Sequence, residues 1–309
     1  MNNVEIAFTF DKRIIRGAAV SIKSLLDTAK DSTAYLIHIF HSDLTTPICN
    51  AFTSMARGTR HKMLFHKIDA SIFDGMPKGR GSWTEIVYYR FLIPEVLKDS
   101  PKAIYSDVDV FFRDDMSEIF STDISDYEVG AVRAEVNSPE ATGHKYFPEN
   151  RRDYIFWSGF LLLNCELMRK KNFFDRIKKS AKENAHRLRL WDLDAMNLAA
   201  ESIFPLPFRY VTLESIFETK NLADAPEYRF LKNVYSDIEL LNAKENPAII
   251  HYAGPLGKPW QRIGNPEYYM NCDAKIPNLL RRSTFRDFRK RLFSKRDFRS
   301  AVNALSHSK

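Results

Sequence analysis

VEIAFTFDKRIIRGAAVSIKSLLDTAKDSTAYLIHIF, residues 4–40, reads as strand, helix, strand. Residues 4–10 form a mainly apolar strand ending in Asp11. From Arg16 to Asp27 the period changes, with Ala19, Ile22, Leu25 and Leu26 on one helical face. Residues 35–40 then give the second strand. The alternation continues with a helix over 46–57, a strand over 62–68, a helix over 84–97 closed by Asp99-Ser100-Pro101, and a strand over 103–107. Such β-α-β-α-β order argues for an α/β fold, a mostly parallel sheet with helices on both faces whose ligands collect at the carboxyl ends of the strands. Further along, strands are expected over 128–133 and 160–164 and helices over 165–187 and 192–201. Residues 134–153, with Pro139, Gly143 and Pro148, form a polar loop long enough to suggest a functional role.

The 309 residues suffice for one large α/β domain or two smaller ones. Cys49, Cys165 and Cys272 are odd in number and far apart, which indicates neither a disulfide framework nor a zinc site and suggests a reducing compartment. The first residues do not resemble a signal peptide, and no apolar run reaches the roughly 18 residues that a membrane span needs. The expected location is the cytosol, unless the protein is held on a surface. The net charge of +7 is concentrated in the tail. Residues 275–309 carry eleven Lys/Arg against two Asp, a net of +9, so subtraction from +7 leaves −2 for the rest. Phe285, Phe288 and Leu292 fall at helical spacing among these basic residues. The tail could lie on an anionic membrane, bind nucleic acid or form a solvated terminal helix.

Function is suggested by Tyr105-Ser106-Asp107-Val108-Asp109-Val110, where two carboxylates stand one residue apart at the end of an apolar run. On a strand they would share a face and repel one another, unless they were a solvated strand end or held a hard cation such as Mg2+ or Mn2+. His251 follows the strand-like Ala248-Ile249-Ile250 and could be a third ligand. Lys258, with Gly254 and Gly257 before it, could complete a grip on a diphosphate. No glycine-rich phosphate loop is present. Asp192 and Asp194 stand at a helix start, where an N-cap role is also open.

These stretches appear in a characteristic order. A strand ending in Asp11 is followed by Tyr88-Tyr89-Arg90, Y-S-D-V-D-V (105–110), F-W-S-G-F-L-L-L-N (156–164), W-D-L-D-A-M-N (191–197) and H-Y-A-G-P-L-G-K-P-W (251–260). The set resembles glycosyltransferase family 8, in particular its bacterial lipopolysaccharide galactosyl- and glucosyltransferases, over roughly residues 4 to 262. The resemblance implies a GT-A-like catalytic domain over 1–262, with a mixed, mostly parallel central sheet and flanking helices. Residues 263–309 would then be a basic, amphipathic membrane-attachment segment, placing the protein on the inner face of the cytoplasmic membrane and not on nucleic acid.

It also implies roles for single residues. Asp107, Asp109 and His251 would coordinate Mn2+ (or Mg2+) bound to the UDP diphosphate, and Lys258 would hold that diphosphate. Thr9 and Asp11 would contact uracil and ribose, with Val108, Gly254 and Gly257 completing the donor-binding set. Arg90 and Asp192 would face the donor sugar, so that Asp192, Asp107 and Arg90 are the candidate catalytic residues. The implied reaction is retaining transfer of galactose or glucose from a UDP-hexose to a glycan or lipid-linked oligosaccharide. The sequence departs from the family pattern at Trp157, where Asn is usual, and at Leu193, where Gln is usual. Ile14 replaces a common aromatic, and Arg133-Ala134-Glu135 occupies a usually acidic position. These departures admit the alternative of a weak or inactive UDP-sugar-binding protein on the same fold.

Overall fold

The computed structural model describes residues 2–77, 84–254, 257–262 and 264–281, so Phe285, Phe288, Leu292 and the basic residues around them lie outside the described residues. In chain order the strands are β1 (Asn2–Thr9), β2 (Thr33–His41), β3 (Lys62–Lys67), β4 (Ala103–Ser106), β5 (Val110–Phe112), β6 (Val129–Val136), β7 (Tyr154–Leu163), β8 (Ile203–Leu206), β9 (Thr212–Leu213) and β10 (Ile249–His251). Seven build a central sheet in the order β3-β2-β1-β4-β7-β6-β8. The first four run parallel, β7 is antiparallel to both β4 and β6, and β8 is parallel to β6. β1 is buried almost throughout because both faces are covered. On one face lies α1 (Ile15–Asp27), which buries Ala18, Ala19, Ile22 and Leu25. On the other, Ala7, Phe40 and Tyr105 pack against Tyr88, Tyr89 and Ile93.

A small second sheet, β5-β10-β9, closes the site end of the molecule. β5 is antiparallel to β10, which is parallel to β9. Phe112 joins the two sheets: its ring meets Phe8 edge-on at 6.2 Å and its N–H donates to Ser24 Oγ of α1 at 3.0 Å. Gly17 of α1 is required by contact, since a Cβ there would lie 2.4 Å from the Trp260 ring. The helix Glu267–Asp273 packs on α1 as well, with Tyr269 and Cys272 buried and Arg16 paired to Asp273 at 2.6 Å. Among the described residues no helix is long and apolar enough to cross a membrane.

Several local expectations are corrected. Residues 107–109 are not on a strand; they form the connection along which the chain leaves the central sheet for β5, and three residues of β5 are too few to show a period. The helix expected over 84–97 is a 3-10 helix over Glu85–Leu92 followed by one α-turn, Ile93–Val96, with Pro94 in its first turn. The helix expected over 165–187 breaks at Asn172, whose φ of 50° is left-handed, into Cys165–Lys170 and Phe173–Glu183. β6 runs on to Val136 and β7 starts at Tyr154, so Glu135 lies on a strand.

Candidate active site

Two backbone bonds fix the Asp107–Asp109 connection. The Asp107 N–H donates to Gly159 O on β7 at 2.8 Å, and Asp109 O accepts from Tyr252 N at 2.9 Å, just past β10. The segment is thus stitched to both sheets, with Val108 buried beneath it and both carboxylates turned to the opening. Each of Asp107, Asp109 and His251 offers a ligand atom within 4.8 Å of the other two. Gly159 makes this convergence possible. A Cβ there would stand 2.7 Å from His251 Cε1 and 2.9 Å from Asp107 Oδ2, closer than packed atoms approach. Two carboxylates and one imidazole in a cradle cleared by a glycine fit a hard or borderline divalent cation such as Mn2+ or Mg2+.

The charges around the pair are unequal. Asp107 Oδ1 accepts from Arg90 Nη2 at 3.0 Å and from the Tyr105 hydroxyl. Burial pushes the Asp107 carboxyl above its usual range, against the pull of Arg90 and with the help of Asp109. Asp109 goes the other way. Burial again disfavours its charge, but Lys258, bound to Oδ2, and His251 Nε2, 3.4 Å from Oδ1, together hold it well below the carboxylate range. Lys258 Nζ also donates to Tyr252 O at 2.8 Å, which keeps it over the Asp109 carboxylate. Gly257 adopts the left-handed φ of 78° in the loop that returns Lys258 to the site.

Arg90 connects the metal side to the neighbouring wall. It is 5% exposed, lies over the Tyr105 ring at 4.5 Å, donates to Ser158 O at 2.6 Å and pairs with Asp192 at 3.0 Å. Burial works against its charge, yet Asp107 and Asp192 raise its pKa above the ordinary arginine value. Asp192 Oδ2 also accepts from Ser158 Oγ at 2.7 Å. Asp194 is not part of this group. It reaches back from inside the helix Trp191–Ala199 to accept from the N–H groups of Arg189 and Leu190; the N-cap position itself is Leu190, so Asp194 has a structural role but not the N-cap role left open from the sequence.

At the end of β1, Thr9 Oγ1 lies 3.3 Å from the Tyr105 hydroxyl. Asp11, 7% exposed, is gripped by Arg13 through its backbone N–H at 2.9 Å and its guanidinium, which also reaches Thr84 Oγ1 at 2.9 Å. Gly254 stands against the Glu227 carboxylate. Tyr105, Ser158, Gly159 and Arg13 were not singled out as site residues. Of these, only Tyr105 carries a signal in the sequence, its i, i+2 spacing from Asp107.

The two departing residues meet each other. Leu193, 5% exposed, packs with Ala134, Ile155, Leu190 and Trp157. Trp157 Nε1 is buried without a hydrogen-bond acceptor among the described residues. His144 stands edge-on to the indole, ring centroids 4.7 Å apart, and is held by Glu135. That carboxylate accepts from the N–H groups of Thr142, Gly143 and His144 and from His144 Nδ1 at 3.1 Å. The loop over 137–153 is thereby pinned onto β6 behind Trp157.

The geometry can be set beside known proteins. Residues 5–264 match the sequence profile of the family described as Glycosyl transferase family 8. The chain belongs to glycosyltransferase family 8. Over 319 aligned residues it is 24% identical to the lipopolysaccharide 1,3-galactosyltransferase of Salmonella typhimurium, covering 96% of this chain and 88% of that one. The solved structure of the galactosyltransferase LgtC in complex with donor and acceptor sugar analogues superposes with a TM-score of 0.72 at 21% identity, covering 90% of this chain and 99% of that one. The WbbM bifunctional glycosyltransferase gives 0.71 at 19% identity, over 94% of this chain and 52% of the other. The mixed, mostly parallel sheet of this family 8 chain is the GT-A-like arrangement of those enzymes.

Proposed function

We propose that this glycosyltransferase moves a hexose, galactose or glucose, from a UDP-sugar to a glycan acceptor with retention of anomeric configuration. The carrying observation is the convergence of Asp107, Asp109 and His251, with Lys258 over Asp109, in a cradle emptied by Gly159. Asp107, Asp109 and His251 would hold Mn2+ or Mg2+, whose chemistry is Lewis-acid stabilisation of charge on the departing diphosphate. Lys258 adds a cation at the same place. Arg90 and Asp192, locked to each other and to Ser158, would orient the sugar's hydroxyls. Thr9 and Asp11 would take the uracil and ribose, Asp11 prealigned by Arg13. In a same-face reaction the leaving phosphate oxygen takes the proton of the acceptor hydroxyl, so no protein nucleophile is needed and the apolar Leu193 is tolerated.

Similarity to a lipopolysaccharide galactosyltransferase favours a lipopolysaccharide, lipooligosaccharide or other surface glycan as acceptor. The basic residues of 275–309 favour attachment to an anionic membrane surface, which puts the enzyme on the cytoplasmic face. A screen of UDP-sugars with Mn2+, reading released UDP, tests the assignment. Release from UDP-galactose or UDP-glucose is expected, and silence with every donor would sink it. One observation favours a second reading: Leu193 is packed in an apolar cluster where the family usually has Gln. On that reading calorimetry detects UDP and Mn2+ binding with no turnover.

A further inference from the structure

The loop between His251 and Lys258 has an acidic neighbour that the donor-side assignment leaves unused. Ser215 lies two residues beyond Leu213, which is in register with His251 on the parallel strands β9 and β10. Ser215 donates its hydroxyl to Glu227 Oε2. Glu227 is 9% exposed, and its other oxygen, Oε1, has no hydrogen-bond donor or cation among the described residues. Oε1 is nevertheless not sealed in the interior. It opens beside Gly254, where an added Cβ would stand 3.1 Å from it. The adjacent acid shows the contrast. Glu214, 2% exposed, is neutralised by Arg262, with Nη1 to Oε2 at 2.9 Å.

A largely buried carboxylate with one oxygen bonded and the other open beside Gly254 presents an oriented acceptor that water or a ligand donor can fill. A diphosphate would be repelled, and the donor sugar has Arg90, Asp192 and Ser158 on the other wall. A neutral saccharide hydroxyl has the matching chemistry. We propose that Glu227, oriented by Ser215, is a specificity-determining group of the acceptor subsite, accepting a hydrogen bond from a hydroxyl of a neutral saccharide beside Gly254. The proposal rests on the transferase reading above.

Glu227→Gln, which keeps the shape and removes the charge, separates the two. UDP release from UDP-galactose or UDP-glucose with Mn2+ is measured alone and with lactose, methyl β-galactoside or methyl β-glucoside. In the variant, acceptor-free hydrolysis is expected within about twofold of wild type, while the KM for the accelerating saccharide rises about tenfold or more, as for loss of a hydrogen bond to a charged group. Saturation-transfer NMR of that saccharide with UDP and Mg2+ should lose its signal in parallel, and Ser215→Ala should fall between. An unchanged saccharide KM, or equal loss of hydrolysis and transfer, overturns the proposal. Wild-type hydrolysis that no saccharide accelerates overturns the acceptor assignment and leaves the donor reading standing. No UDP release by the wild type overturns both.

Discussion

The two walls of the site are held together by opposite physics. The wall around Asp107 and Asp109 gathers polar and charged groups from β4's end, β10, the Lys258 loop and the 3-10 helix, and each is tied to at least one other: Arg90 to Asp107 and Asp192, Lys258 and His251 to Asp109. The wall around Trp157 and Leu193 is apolar, and its polar support, Glu135 with His144, sits behind it. In the first wall opposite charges set one another's positions. In the second, apolar packing sets them.

The sharpest way to break this contrast is to strike the charged wall. Asp107→Ala or Asp109→Ala is expected to lower UDP-sugar turnover at least about a hundredfold, the scale of several kcal/mol of lost charge stabilisation. Chelation by EDTA should do the same and be reversed by Mn2+, and undiminished turnover in either test removes the metal from the scheme. Gly159→Ala comes next. Its Cβ forces His251 and Asp107 apart, and Mn2+ affinity should fall by about 10- to 100-fold, the range seen when ligand orientation is disturbed. Calorimetry showing wild-type Mn2+ binding in that variant would mean the cradle is looser than its contacts indicate.

Striking the apolar wall should give the reverse pattern. Leu193→Gln puts an amide among Ala134, Ile155 and Trp157 and should cost about 1–3 kcal/mol in urea unfolding, the penalty of an unsatisfied buried polar group. Mn2+ affinity should stay within twofold, while the ratio of UDP-galactose to UDP-glucose turnover changes. A large loss of metal binding would show that the two walls are not independent.

The same division explains what could be read in advance. Asp107, Asp109, His251 and Lys258 are conspicuous because charged residues after apolar strands are chemically unusual, and the β-α-β periods before them specify where strand ends lie. The pair nonetheless shares no strand face, since it sits on a connection between sheets. β5 and β9 have too few residues to show a period, so the second sheet was out of reach. Trp157 and Leu193 stood out only as departures; that they touch across 36 positions follows from packing of β7 against the helix Trp191–Ala199. Glu135 looked like a loop residue because a bulged strand loses its alternation, and β6 shifts register between Ala131 and Arg133 and again before Glu135.

Glu135 gives the smallest effect and the finest test of how the apolar wall is braced. Burial alone would raise its pKa, but His144 and the N–H groups of Thr142 and His144 bring it below the ordinary glutamate value. A carboxylate depressed in the folded state contributes stability that is fully present above its unfolded pKa, about 4.3, and is lost as pH falls through the lower folded value. Glu135→Gln should therefore be less stable than wild type by about 1–2 kcal/mol at pH 7, the scale of hydrogen bonds to a charged group. The difference should shrink as the pH drops below about 4.3. Urea midpoints across that range check the sign. A difference that stays constant with pH would mean that shape, not charge, lets Glu135 hold His144 against Trp157, and the loop's grip would then be packing as well.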